Sequence, residues 1–245
     1  FSEIAYFSGV SATDWSWSGL IFDMDNDGFR DIYVTNGINH DLTDLDFVNF
    51  FANEIIQDMA LTGKKEAIDS IINKMPVHPL PNYAFHNQKD LTFDNRSEDW
   101  GLAVPSLSNG AAYGDLDNDG YLDFYVGTGE PNLGTLIPNR MFRNNEAKRF
   151  QEVTTSGGFG HLQKGHGVGF ADLDHDGDQD VYTNMGRAVT GDVYRNALFE
   201  NPGHSNRWLK LNFHGVDSNR KGVGSRLKIV VNDEAGTQRT IHRVI

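Results

Sequence analysis

Asp115-Leu116-Asp117-Asn118-Asp119-Gly120-Tyr121-Leu122-Asp123 places carboxylates at positions 1, 3, 5 and 9 of one short loop. The pattern occurs twice more, as Asp23, Asp25, Asp27, Gly28 and Asp31, and as Asp172, Asp174, Asp176, Gly177 and Asp180. Alternate carboxylates on a tightly curled backbone converge on one point, and calcium takes about six to eight oxygens at roughly 2.3–2.6 Å. Glycine at position 6 permits the turn. Position 7 offers a backbone carbonyl, here from Phe29, Tyr121 and Asp178. At this composition one full match arises by chance on the order of 0.003 times per chain, so three matches make a repeat and predict three calcium ions.

An EF-hand needs a bidentate Glu at position 12 followed by a helix. This chain has Val34, Val126 and Thr183 there, within runs such as Asp31-Ile32-Tyr33-Val34-Thr35 and Asp123-Phe124-Tyr125-Val126, whose β-branched and aromatic residues favour strands. Each loop is therefore expected to join two strands.

Around the loops a longer unit recurs. It opens on a Phe-containing strand (Phe1-Ser2-Glu3-Ile4, Phe93-Asp94-Asn95-Arg96, Phe150-Gln151-Glu152-Val153) and closes on an Asn-ended one (Tyr83 to Asn87, Arg140 to Asn144, Ala197 to Asn201). The units are 1–92, 93–149 and 150–201, and the excess length of the first falls in residues 41–76. There Leu45, Val48, Phe51, Ile55 and Met59 form the apolar stripe of an amphipathic helix, with Thr43 or Asp44 as cap, Gly63 as stop, and Phe47 and Phe50 flanking the stripe. Ile68, Ile71, Ile72 and Met75 repeat the pattern before Pro76, so a helical hairpin is expected, its stripe packed on a blade or, given the wide face that Phe47 and Phe50 make, offered to a partner.

These loops, the preceding Gly-Ala-Ala-Tyr-Gly (110–114) or Gly-Val-Gly-Phe-Ala (167–171), and the Asn-ended strands resemble the FG-GAP/VCBS repeats of integrin-α-like β-propellers. The resemblance covers residues 1 to about 201 and implies an all-β partial propeller of three calcium-binding blades. The tail, with Asn206 to Leu211, Gly215, Ser218-Asn219-Arg220 and Gly222 to Leu227, resembles the ASPIC/UnbV module of cartilage-acidic-protein-like chains. It reads as a small β module over 202–245, truncated at Ile245, with Thr240 to Val244 a strand. Trp208 to Phe213 could complete the third blade. Because propellers close with about four to eight blades, further blades or other chains are expected to complete the ring.

The formal charge of −13, from 34 acidic and 21 basic residues, argues against a nucleic-acid partner, and the loop carboxylates supply most of the excess. Without cysteine there are no disulfides, thiolate nucleophiles or thiolate zinc sites. No apolar run approaches eighteen residues. The histidines lack His-X-His or His-Glu-X-X-His spacing, and His161, His166 and His175 read as turn and surface residues. Nucleophile elbow, Walker loop and dinucleotide fingerprint are absent. Lys221 to Arg226 offers a Gly-rich anion cradle or a plain hairpin turn. Glu130 and Asp192 are the least implausible catalytic groups outside the loops. Trp15, Trp17, Trp100 and Tyr113 fill between blades or stack on a sugar. Asn95-Arg96-Ser97 is a formal sequon read as incidental.

The resulting expectation is a calcium-loaded, non-enzymatic adhesion or ligand-binding domain outside the cell, with a protein or carbohydrate ligand, since loops of modest affinity fill where calcium is millimolar. The alternatives are the scaffold of a secreted polysaccharide lyase or hydrolase, which the same fold class hosts, and a passive assembly spacer.

Overall fold

The structure, a computed structural model, describes residues 1–245 except 42, 48, 50–52, 64–74, 76, 78, 130–136, 163, 187–194, 218 and 233–235. It is mostly β. In chain order the elements are α1 (Ala5–Ser8), β1 (Ser16–Phe22), β2 (Asp31–Asn36), α2 (Asn53–Thr62), β3 (Leu80–Pro81), β4 (Tyr83–Asn87), β5 (Phe93–Asn95), β6 (Pro105–Ser106), β7 (Ser108–Gly114), β8 (Asp123–Thr128), β9 (Arg140–Asn145), β10 (Arg149–Glu152), β11 (Gly165–Ala171), β12 (Asp180–Met185), β13 (Ala197–Phe199), β14 (Arg226–Asn232) and β15 (Gln238–Val244).

Three antiparallel meanders follow one another: β1-β2-β4-β5, β7-β8-β9-β10 and β11-β12-β13, with two-stranded β3-β6 and β14-β15 beside them. None of the sheets closes on itself. Each aspartate-rich loop joins the first two strands of a meander. The Phe-containing segments at 93 and 150 are strands, as expected, but they pair backwards: β5 hydrogen-bonds to β4 and β10 to β9, so the strand that opens a sequence unit is the outer strand of the sheet before it. Phe1 to Ile4 form no strand; the one-turn helix α1 follows and ends at Gly9 in the left-handed region. Trp208 to Phe213 form no strand either, so the third meander has three strands among the described residues.

The meanders stand side by side, with β7 packed against both β1 and β11. The approach is close: a Cβ added at Gly110 on β7 would overlap the His166 carbonyl on β11, which explains the Gly-rich run before the loop. Thr35 Oγ1 donates to Asn109 O at 2.5 Å and Asn109 Nδ2 to Gly165 O at 3.0 Å, stitching all three meanders along these strands.

The core is aromatic. Phe22, Tyr33, Phe124, Phe142, Phe150 and Trp100 fill the space between the first two meanders, with Phe124 and Phe142 stacked 4.9 Å apart. Tyr125, Met141 and Val181 form the smaller second layer, joined by Phe159 and Phe199. Trp100 therefore fills core as expected, whereas Trp17 is exposed with its indole N–H on Gly37 O, at 2.7 Å, and Tyr113 stacks on Phe22 at 4.5 Å.

In the insertion, Asp44 Oδ1 accepts the N–H groups of Asp46 and Phe47, the expected cap, and Gly63 at φ +69° stops α2, the expected end. The stripe is shifted from expectation: Phe47 is buried, Leu45 is exposed, and α2 buries no residue. The remaining stripe positions at 48 and 51, flanking position 50 and the second helix over 64–74 lie outside the described residues.

Candidate metal centre

The three loops share one backbone. Position 4 is left-handed each time, at Asn26 (φ +58°), Asn118 (φ +50°) and His175 (φ +67°), and the position-6 glycines lie at φ +92°, +88° and +101° for Gly28, Gly120 and Gly177. Asparagine tolerates that region and glycine occupies it without strain. Within this curl, the position-3 carboxylate accepts the N–H of position 5 (Asp25 from Asp27, Asp117 from Asp119, Asp174 from Asp176). The position-5 carboxylate likewise accepts the N–H of position 7.

The result gathers carboxylate oxygens within 4.8 Å of one another in each loop: Asp23, Asp25 and Asp31 in the first, Asp115, Asp117 and Asp119 in the second, Asp172, Asp174 and Asp176 in the third. Asp27 joins a further group with Asp25 and His86. At position 7 each side chain meets a basic or imidazole group. Phe29 carries Lys89 over its ring at 4.9 Å, Tyr121 carries Arg239 at 5.5 Å, and Asp178 meets His204 Nε2 at 2.7 Å.

Position 9 has a second duty that the spacing alone does not show. Asp31, Asp123 and Asp180 are 0%, 1% and 5% exposed. One oxygen of each accepts the N–H of loop position 2 (Met24 at 2.8 Å, Leu116 at 3.0 Å, Leu173 at 3.0 Å). The other accepts the N–H of an Asn at or beside the end of the meander's third strand (Asn87 at 2.9 Å, Asn144 at 2.8 Å, Asn201 at 2.9 Å). The side chains of the last two then reach the loop before: Asn144 Nδ2 donates to Met24 O and Asn201 Nδ2 to Leu116 O, both at 2.8 Å, whereas Asn87 Nδ2 donates within its own loop, to Arg30 O.

Burying carboxylates here raises their proton affinity. Burial pushes Asp23 up to about 6 and Asp31 up to about 7, and does the same to Asp119, about 6; hydrogen bonds from backbone amides oppose it in each case. Asp123 is raised well above the usual carboxylate range for the same reason. Basic side chains lean on the first two loops: Lys89 on Asp27 at 2.8 Å, Arg143 on Asp117 at 2.5 Å and Arg243 on Asp115 at 2.9 Å. In the third loop a buried oxygen, Asp172 Oδ1, has no hydrogen-bond partner. Charge-dense oxygen sets of this kind, with an orphaned oxygen, fit a hard divalent cation, which would hold the carboxylates ionised.

The C-terminal hairpin β14-β15 sits on this face. Asn26 exchanges hydrogen bonds with it, donating to Thr240 O at 2.7 Å and accepting from His242 N at 2.9 Å, and Arg243 also reaches Gly120 O at 3.2 Å. Its preceding turn is not an anion cradle: Gly222 N, Val223 N, Gly224 N and Ser225 N are all taken by intramolecular acceptors. None of His161, His166 and His175 belongs to a metal-holding group among the described residues. Positions 130 and 192, the catalytic candidates of the sequence, lie outside the described residues. Two contributors escaped the sequence reading: the left-handed position 4, legible from Asn or His two residues before the glycine, and His86, which precedes the first repeat's Asn. Neither a family model nor a curated protein matches the chain.

Proposed function

We propose that the chain is a run of three calcium-binding FG-GAP/VCBS-like propeller blades carrying a C-terminal ASPIC/UnbV-like module, and that it serves as a non-enzymatic adhesion or ligand-binding domain outside the cell. The observation that carries this reading is the threefold recurrence of one loop geometry, in which the same positions adopt left-handed backbone and the carboxylates of positions 1 and 3 converge with a third from position 5 or 9. Calcium fits better than magnesium, because these loops gather several carboxylates beside a backbone carbonyl, whereas magnesium demands a tight octahedron and retains its water.

Calcium's role in this reading is structural. It neutralises carboxylates that also hold strands, so filling the loops fixes the meanders relative to one another. Residues Trp208, Leu209 and Leu211 form an exposed apolar run beside the third loop, with Trp208 against Gly177, which favours a binding surface over a catalytic cleft. An extracellular setting follows from loops of modest affinity, which fill only in millimolar calcium. No helix among the described residues is long and apolar enough to cross a membrane. Calorimetric titration with calcium tests the proposal: three ions per chain are expected, and binding of none in millimolar calcium would refute it.

A further inference from the structure

Among the described residues, the first loop differs from the other two in having a nitrogen donor within its metal-holding group. His86 sits on β4 immediately before the Asn that ends it, and the equivalent residues of the second and third repeats are Arg143 and Glu200. Its Nε2 lies 3.0 Å from Asp25 Oδ2 and 4.0 Å from Asp27 Oδ2, and the three residues offer ligand atoms within 4.8 Å of one another. The ring is held from behind. Nδ1 faces Asp94 Oδ1 at 3.4 Å and Gln88 Nε2 at 2.9 Å, and Trp100 packs edge-on at 5.8 Å between centroids.

We propose that Asp25, Asp27 and His86 form a site for a borderline first-row divalent cation of the zinc class, distinct in selectivity from the oxygen-only second and third loops. The inference rests on reading these loops as cation sites. Imidazole adds little for calcium, which selects oxygen, but it is a preferred ligand of zinc, cobalt and nickel. A metal-bound Nε2 requires the proton on Nδ1; Asp94 Oδ1 is placed to accept it there once the Gln88 amide, which donates to Nδ1 in this geometry, turns away, and a carboxylate in that place strengthens the ligand. Lys89 Nζ, 2.8 Å from Asp27 Oδ2, is the charge that the cation displaces. Asp25 also belongs to the oxygen group with Asp23 and Asp31, so the two sites share one carboxylate.

Equilibrium dialysis of the whole chain against zinc chloride in millimolar calcium tests this. One zinc per chain is expected. His86→Ala should weaken it at least about tenfold and Asp94→Asn, leaving all three ligands in place, by about tenfold. Cobalt(II) in place of zinc should give a visible ligand-field band that His86→Ala removes. Unchanged calcium binding at the second and third loops shows that the variants are folded. Zinc that fails to bind, or that binds wild type and His86→Ala equally, overturns the inference. A separate calcium titration of the wild type decides the calcium reading, so the two failures are told apart.

Discussion

The backbone N–H of Asn144 donates to Asp123 Oδ1 at 2.8 Å, tying the third strand of the middle meander to the ninth position of its own loop, while the Asn144 side chain donates to Met24 in the loop before. Loop closure, strand order and contact between meanders thus pass through one buried carboxylate and one asparagine. Asp180 and Asn201 repeat the arrangement toward Leu116.

Asp123→Ala should therefore destabilise the protein even without metal, because one buried and one part-buried N–H group lose their acceptor. About 3 kcal/mol is expected. Asp117→Ala, at a half-buried position, should lower the calcium count from three to two with a much smaller effect on the metal-free protein. Urea denaturation in chelator, beside calcium titration, separates the two; equal losses of metal-free stability would contradict the assignment.

Calcium removal should lower the melting temperature. At about 100 times the dissociation constant each site adds roughly 2.7 kcal/mol by mass action. A melting curve unmoved by chelator would show that the loops do not hold the meanders together.

The loops should also respond to pH with opposite signs in the two states. Asp31 at about 7, and Asp23 and Asp119 at about 6, are raised from an ordinary 3.8, so the native state binds protons more tightly than the unfolded chain. Their contribution to metal-free stability is then fully present below the unfolded value and is lost as pH rises through 6 to 7. Calcium competes with those protons, so its affinity should rise over the same window. Melting temperatures from pH 4 to 8, with chelator and with calcium, give the test; parallel slopes would refute it.

Gly120→Val should abolish the second site and loosen the C-terminal hairpin together. At φ +88° a β-branched residue is strained, and a Cβ there meets the Ile241 side chain at 2.6 Å. Calcium stoichiometry of two, with increased hydrogen exchange over β14 and β15, is the expected pair of readouts.

The third meander should drive self-association. Tyr33, Tyr125 and Tyr182 are equivalent, yet the first two are 0% exposed beneath the following meander while Tyr182 is 43% exposed. Two uses of one position as core make the third an unsatisfied apolar face, and open repeat arrays need such flanks capped. Light scattering should show concentration-dependent growth that Tyr182→Lys reduces; a monodisperse wild-type monomer would count against it.

Much of this was legible in the sequence because local chemistry dictated it. Three aspartate-glycine spacings determined three loops between strands, since only glycine sits easily at position 6 and only alternate residues point to one centre. The Asp44 cap, the Gly63 stop and the Thr240 to Val244 strand were likewise local. Tertiary structure alone decided the rest. Pairing assigned the Phe93 and Phe150 strands to the preceding sheets, because hydrogen-bond partners are chosen across space and composition is silent about them. Packing turned Phe47 inward and left Leu45 out. It also gave the ninth aspartate its double acceptor role and brought His86, 61 residues after Asp25, onto the first loop. A motif specifies the ligands that its own backbone curls together; a donor arriving from another strand is fixed only when the sheet forms.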